Sequence, residues 1–253
     1  MKILALDYDG VICDSVAETG ISGWKCATRL WPALFPETTM PETLVADFRR
    51  VRPFLETGFQ AAILVRMLRE KCTPDDFRLR LGEHTNRILQ ESGMTRDDII
   101  AEFGKTRDTW VREDCDGWLN AHGYFPGTIT ALQAALQHCF VAILTTKQER
   151  FVLRQLASQG VVFPPEQLWG LDRKAPKEEI CRQFLRQGHA DITFVEDRLP
   201  TLRRFQQDPE LAPVKLCYAV WGYGTQAEIQ EARDDKSLRA LDLPEFCAML
   251  ANC

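Results

Sequence analysis

The sequence predicts an α/β protein, a Rossmann-like doubly wound parallel sheet into which an all-helical domain is inserted. Four short apolar runs, at 3–6, 140–144, 192–195 and 214–221, have the length and composition of strands buried on both faces. Helical patterns separate the last three runs, and alternation of strand and helix is typical of a parallel sheet covered by helices. The first run, by contrast, is followed by a long stretch that contains helical patterns only.

This stretch, residues 16–121, predicts a separate helical domain because it contains no convincing strand. Two of its segments begin with good helix N-caps. Thr73 is followed by a proline and two aspartates, and Thr95 is followed within three residues by two aspartates. We therefore expect one helix over 73–91 and another that begins near residue 95.

The return to the sheet is predicted at residues 122–127, His-Gly-Tyr-Phe-Pro-Gly, which is rich in residues that interrupt helices. We expect a core domain of residues 1–15 and 122–253 and a helical domain of residues 16–121. In the core, helical patterns lie at 128–137, 148–160, 176–187, 199–206, 225–234 and 243–251, and a further short strand is predicted at 169–171.

Composition narrows the classes of function. The 253 residues carry a formal net charge of −5 and no basic run, so we expect no nucleic-acid partner. No stretch approaches the roughly 18 apolar residues of a membrane span, and we expect a soluble, cytoplasmic protein without a membrane partner. The nine cysteines are scattered and form no Cys-x-x-Cys pair, which predicts mainly reduced thiols and no zinc site.

Polar residues that could carry chemistry follow three of the apolar runs. Asp7 and Asp9 follow the first run, Thr145 and Lys147 follow the second, and Glu196 and Asp197 follow the third. If these strands are parallel neighbours, their carboxyl ends meet in one crevice, which is where open α/β sheets bind ligands. Carboxylates held close together repel one another, so a cation is expected among them, and a donor set of oxygens favours Mg²⁺.

Taken alone, Asp7-Tyr-Asp-Gly is also compatible with a solvated turn, and less well with a calcium loop whose remaining ligands are missing. Followed by valine, however, it resembles the first motif of the haloacid dehalogenase (HAD) superfamily of phosphatases. Residues 141–145 resemble the second motif and residues 194–197 the fourth. For the third motif, a lysine that begins a later helix, Lys177 is favoured over Lys174 because it stands directly before the helical pattern.

The resemblance is to phosphoglycolate phosphatase-like members with a helical cap inserted after the first motif. It implies that Asp7 is the nucleophile and that Asp9 is the general acid and base. It implies phosphate contacts from Asp9, Gly10, Thr145, Thr146 and Lys177, catalytic support from Thr145 and Lys177, and Mg²⁺ ligands from Asp7, Asp9, Glu196 and Asp197. The implied activity is a Mg²⁺-dependent phosphatase that hydrolyses a small phosphorylated metabolite through an aspartyl-phosphate.

Three alternatives share part of this pattern. A phosphomutase has every motif but returns the phosphoryl group to a sugar. A non-catalytic HAD-like domain would only bind a ligand or partner, and the intact pair Asp7 and Asp9 argues against it. A response-regulator receiver also places acids and a lysine at strand ends, but it has no helical insertion. Dehalogenases of the superfamily lack the second acid, so Asp9 favours phosphoryl transfer.

Overall fold

The computed structural model describes residues 2–253, which form two compact units. One unit contains residues 2–14 and 123–253, and the other contains Ser15–His122. The chain leaves the first unit and returns to it within one residue of the two junctions expected from the sequence.

The first unit is built on a parallel sheet. Its strands are β1 (Lys2–Leu6), β4 (Phe140–Leu144), β5 (Leu168–Trp169), β6 (Asp191–Glu196), β7 (Lys215–Ala219) and β8 (Arg239–Leu241), while β2 (Cys13–Asp14) and β3 (Gly123–Tyr124) form a separate two-stranded sheet. The order across the sheet is β5-β4-β1-β6-β7-β8, and every neighbouring pair is parallel. The chain order reverses at β1, which confirms the predicted doubly wound α/β sheet.

The register of the three central strands decides where their ends lie. Leu6 of β1 is level with Ile143 of β4 on one side and with Val195 of β6 on the other. The polar residues that follow these positions therefore emerge at the same edge of the sheet, which is the first requirement for a shared site.

Helices occupy both units. The helical unit contains α1 (Val16–Leu30), α2 (Glu42–Val51), α3 (Gln60–Arg69), α4 (Pro74–Leu79), α5 (Leu81–Ser92), α6 (Arg96–Glu113) and α7 (Cys115–Asn120). The sheet unit contains α8 (Thr128–Ala135), α9 (Glu149–Ser158), α10 (Lys177–Arg186), α11 (Leu199–Gln207), α12 (Gln226–Asp234) and α13 (Leu243–Ala251). Among residues 2–253, no helix combines the length and the apolar character needed to cross a membrane.

Apolar cores lie on both faces of the sheet. Leu4 and Leu6 of β1 belong to the cluster that includes residues of α8, α9 and α13, whereas Ile3 and Ala5 belong to the cluster with residues of α10, α11 and α12. All four side chains are fully buried. Burial on both faces explains why the strand reads as an unbroken apolar run without polar alternation.

Two parts of the secondary structure differ from the sequence prediction. The helix expected over 73–91 is divided into α4 and α5 at Arg80, whose backbone (φ −125°, ψ 15°) leaves the helical range although the residue is neither glycine nor proline. The short strands β2, β3 and β8 were not expected. Segments of two or three residues carry too little periodicity for a pattern to detect them.

A buried ion pair lies inside the helical unit. Glu18 of α1 is fully buried, and the Arg107 guanidinium of α6 donates two hydrogen bonds of 2.7 Å to its carboxylate. Ser22 Oγ (2.6 Å) and Trp118 Nε1 of α7 (3.2 Å) donate to the same group. A buried charge is tolerated only when it is paired and hydrogen-bonded, so this carboxylate joins three helices of the unit.

The prediction of reduced cysteines is wrong for one pair, because Cys139 and Cys253 form a disulfide across 114 residues. The cause is tertiary. Helix α13 packs against α8, and the chain end after α13 thereby comes beside Cys139, with 6.0 Å between the two Cα atoms. Within residues 2–253, the other seven cysteines are not part of a disulfide.

Candidate active site

The turn after β1 places the first-motif residues. The Asp7 N–H donates to the Val195 carbonyl at 2.9 Å and continues the sheet pairing by one residue. The Tyr8 carbonyl then accepts hydrogen bonds from the N–H groups of Ile12 and Cys13, both at 2.9 Å, and this closes a tight loop. The chain thus leaves strand geometry immediately after Asp7, so Asp7 and Asp9 are not forced onto opposite faces of the sheet.

Two features of this loop require glycine at position 10. Its φ of +96° lies in the left-handed region that side chains disfavour, and a Cβ at this position would lie 2.1 Å from Asp197 Oδ2. The first and fourth motifs therefore approach each other so closely that only glycine fits between them.

Lys177, the first residue of α10, connects two of the acidic strand ends. Its Nζ lies 2.7 Å from Asp7 Oδ1 and donates a 2.8 Å hydrogen bond to Glu196 Oε2. Burial alone would lower the pKa of Lys177, but the two carboxylates raise it above its usual value and keep the side chain charged. Lys174, the alternative third-motif lysine, is exposed and adopts a left-handed backbone (φ 52°).

The two acids after β6 have different partners. Glu196 Oε1 accepts hydrogen bonds from the N–H groups of Asp197 and Arg198, both at 3.1 Å, while its Oε2 binds Lys177. Asp197 Oδ2 accepts the Tyr223 N–H at 2.7 Å. Burial would raise the pKa of Glu196, but Lys177 holds it below its usual value, so Glu196 is ionised.

Asp7 has a different electrostatic environment. Burial raises its pKa from 3.8 to about 7, and the negative charges of Glu196 and Asp9 act in the same direction, against the opposing effect of Lys177. One lysine is therefore not sufficient to compensate this group of acids, and an additional cation would stabilise the Asp7 carboxylate.

The loop after β4 supplies the second motif and a further lysine. Thr145 is buried, its N–H donates to the Trp169 carbonyl (2.9 Å), and its Oγ1 accepts the Lys147 N–H (3.1 Å). Lys147 Nζ donates a 2.9 Å hydrogen bond to Asp9 Oδ1. Thr146, between them, is exposed. The sequence predicts Lys147 as one of the polar residues at the strand ends but assigns it no role in the chemistry.

The acidic group fits a divalent cation. One carboxylate oxygen each from Asp7, Glu196 and Asp197 lies within 4.8 Å of the other two, and all three residues are buried. With Asp9, four carboxyl groups share this edge of the sheet with Lys147 and Lys177, so the site is rich in acidic groups. Hard oxygen donors in an acidic site suit Mg²⁺.

The chain has the fold of solved proteins that are described as phosphatases or as HAD-superfamily hydrolases. A "predicted phosphatase" from Clostridium acetobutylicum is similar over 100% of this chain and 99% of its own, with a TM-score of 0.60 and 14% identity. A HAD-superfamily hydrolase of subfamily IA from Geobacter sulfurreducens is similar over 99% and 96%, with a TM-score of 0.53 and 13% identity.

A "predicted phosphoglycolate phosphatase" from Haemophilus somnus is similar over 89% of this chain and 88% of its own, with a TM-score of 0.54 and 13% identity. No model of a protein family matches the sequence, and no curated protein matches it either. The resemblance predicted from the four motifs is thus confirmed at the level of the fold.

Proposed function

We propose that this protein is a Mg²⁺-dependent phosphatase that hydrolyses a small phosphorylated metabolite through an aspartyl-phosphate. One observation carries the proposal. The Asp7 carboxylate lies 2.7 Å from Lys177 Nζ at the carboxyl edge of the sheet, beside the acids Glu196 and Asp197 and two residues before Asp9. A carboxylate nucleophile, a second carboxyl group and fixed positive charge are the parts that phosphoryl transfer to an aspartate needs.

Asp7, Asp197 and the backbone carbonyl of Asp9 would hold the ion, with Glu196 contributing directly or through water. Bound Mg²⁺ would neutralise negative charge on the phosphoryl oxygens. Lys177 would supply a second positive charge, and the Thr145 hydroxyl would donate to the phosphoryl group and orient it.

In the first step, an Asp7 carboxylate oxygen attacks phosphorus while the bond between phosphorus and the ester oxygen breaks. Protonated Asp9 donates its proton to the leaving oxygen, and the products are an alcohol and the aspartyl-phosphate. Asp9 is then a carboxylate, ready to act as a base.

In the second step, water attacks phosphorus and Asp9 accepts one of its protons. The bond between phosphorus and the Asp7 oxygen breaks, which releases inorganic phosphate and restores the Asp7 carboxylate and protonated Asp9. The helical unit Ser15–His122 would serve as the cap that excludes bulk water and restricts the substrate to small molecules.

The test is phosphate release from a panel of small phosphate esters, with and without Mg²⁺, by the wild type and Asp7→Asn. We expect Mg²⁺-dependent release that Asp7→Asn abolishes and that the control Asp191→Asn retains, because Asp191 begins β6 at the opposite edge of the sheet. Release that survives Asp7→Asn would overturn the mechanism. Transfer between sugar phosphates without release would indicate a phosphomutase, and Mg²⁺ binding without turnover would indicate a binding domain.

A further inference from the structure

Lys147 is a buried lysine whose ammonium group contacts Asp9 of the first motif. Its side chain is 1% exposed, and its Nζ lies 2.9 Å from Asp9 Oδ1 and 5.7 Å from the centre of the Tyr8 ring. Asp9 is more accessible, with 18% of its side chain exposed. The lysine thus approaches Asp9 from the protein interior.

The backbone of Lys147 is held on both sides. Its N–H donates to Thr145 Oγ1 at 3.1 Å, and its carbonyl accepts the Leu171 N–H at 3.0 Å. Gly170 packs so closely on this loop that a Cβ there would lie 2.6 Å from the Lys147 carbonyl oxygen. The Gly170 N–H also donates to Glu149 Oε1 at 2.9 Å. The loop after β4 is therefore fixed against the end of β5, and so is the origin of the lysine side chain.

The two lysines of the site pair with different acidic residues. Lys177 bridges Asp7 and Glu196, whereas Lys147 binds Asp9 from the neighbouring strand end. Lys147 Nζ can donate to Oδ1 of Asp9 both when the carboxyl group is ionised and when the other oxygen carries a proton. The fixed position of Lys147 therefore favours one placement of the Asp9 carboxyl group over the others available to a short, partly exposed side chain.

We propose that Lys147 is a positioning residue that holds the Asp9 carboxyl group at the place where it exchanges protons with the leaving oxygen. This inference rests on the proposed phosphatase function. A proton donor contributes only when it lies within hydrogen-bond reach of the group it serves, so an Asp9 side chain without Lys147 would occupy that place for a smaller fraction of the time.

The consequence is a dependence on the leaving group. An ester whose leaving group is weakly basic needs little protonation, whereas a strongly basic leaving group depends on it. Loss of Lys147 should therefore reduce kcat/KM, which reports the steps up to departure of the leaving group, more for basic leaving groups than for weakly basic ones. A purely structural role of Lys147 would reduce kcat/KM for all esters by the same factor.

The experiment compares kcat and KM for p-nitrophenyl and p-methylphenyl phosphate, which share a shape and differ in the basicity of the released phenolate. The variants are Lys147→Met, Lys147→Arg, Asp9→Asn and the double variant Lys147→Met/Asp9→Asn. The control is Lys215→Met, which removes a lysine 2.7 Å from Asp191 in an exposed pair at the opposite edge of the sheet. The ratio of the two rates within one preparation does not depend on the folded fraction.

We expect Lys147→Met to reduce kcat/KM about tenfold or more on the p-methylphenyl ester and less than about threefold on the p-nitrophenyl ester. Lys147→Arg should recover part of the loss, and the double variant should be no worse than Asp9→Asn alone, because both changes remove the same proton transfer.

Equal losses on the two esters, no loss, or additive losses in the double variant would overturn the proposed role of Lys147. A wild type that hydrolyses neither these esters nor any of the phosphate panel would instead overturn the proposed function, so the two failures are distinguishable.

Discussion

Lys177 Nζ lies 2.7 Å from Asp7 Oδ1. Lys177 is the first residue of α10 and Asp7 is the first residue after β1, so the contact joins residues 170 positions apart in the sequence. At the carboxyl edge of the sheet Asp7 is buried and Lys177 is half-buried, and Lys177 also donates to Glu196. Lys174, in contrast, is exposed, so the contact supports the prediction of Lys177 as the lysine of the third motif.

Replacement of Lys177 should therefore abolish most activity. Lys177→Met removes the fixed positive charge beside the reacting groups, and loss of one such group costs on the order of 10²–10³ in kcat. The matched control is Lys174→Met, which makes the same substitution at an exposed lysine three residues away. This variant should retain nearly wild-type kcat. Steady-state phosphate release measures both, and a larger loss in Lys174→Met would contradict the assignment.

The raised pKa of Asp7 predicts a pH-dependent stability of the metal-free protein. The unfolded chain loses this proton near the ordinary value of 3.8, whereas the folded protein keeps it up to about 7. Between these values the folded state binds more protons, so this group makes the free energy of unfolding fall as pH rises, by at most about 1.4 kcal/mol per pH unit.

In Asp7→Asn that contribution is absent. The stability of the variant relative to the wild type should therefore increase from pH 4 to pH 7 and level off above pH 7. Urea unfolding in the presence of EDTA at a series of pH values measures the difference. A difference that stays constant over this range would show that burial does not raise the pKa of Asp7.

Metal addition and removal provide a test that does not depend on turnover. Saturating Mg²⁺ should raise the free energy of unfolding of the wild type, by about 2.7 kcal/mol at a hundredfold excess over Kd, and EDTA should reverse this. Asp197→Asn should lose most of the effect because it removes one charged oxygen donor. Asp191→Asn, at the opposite edge of the sheet, should keep the full effect, and a loss there would contradict the site.

Gly10 can be compared with a second left-handed glycine. Gly10→Ala and Gly188→Ala both place a methyl group on a left-handed backbone, with φ of +96° and +89°, and each should lose about 1–2 kcal/mol of stability for that reason. A Cβ at Gly10 also meets Asp197 Oδ2 at 2.1 Å, whereas a Cβ at Gly188 meets nothing within 4 Å.

Only Gly10→Ala should therefore lose Mg²⁺ binding and phosphate release. Calorimetric titration with Mg²⁺ and activity measured per folded protein separate this loss from the shared backbone strain. If Gly188→Ala lost Mg²⁺ binding to the same extent, the close approach of Gly10 to Asp197 would not be the cause.

The helical unit predicts a contrast between a buried and an exposed ion pair. Arg107→Met leaves the fully buried Glu18 carboxylate without its main partner and should destabilise the protein by about 3–5 kcal/mol. Arg29, whose side chain is 39% exposed, pairs with Glu102. Arg29→Met should therefore change the free energy of unfolding by less than about 1 kcal/mol. Denaturant unfolding compares them, and equal effects would contradict the argument from burial.

Much of the sheet could be predicted because its physical signal is local. Residues 3–6 and 140–144 are apolar without interruption, since parallel strands covered on both faces expose no side chains to water. Polar residues collect where such a strand ends, so Asp7 and Thr145 were also detectable. The division of 73–91 at Arg80 was not, because no glycine or proline marks it.

The sequence by itself determined the α/β class, the helical insertion and the acidic strand ends, since each depends on residues close together in the chain. Only the tertiary structure decided that Lys177 binds Asp7, that Lys147 binds Asp9 and that Cys139 pairs with Cys253. These contacts join residues 114 to 170 positions apart. Their existence depends on strand order, register and helix packing, which no local pattern encodes.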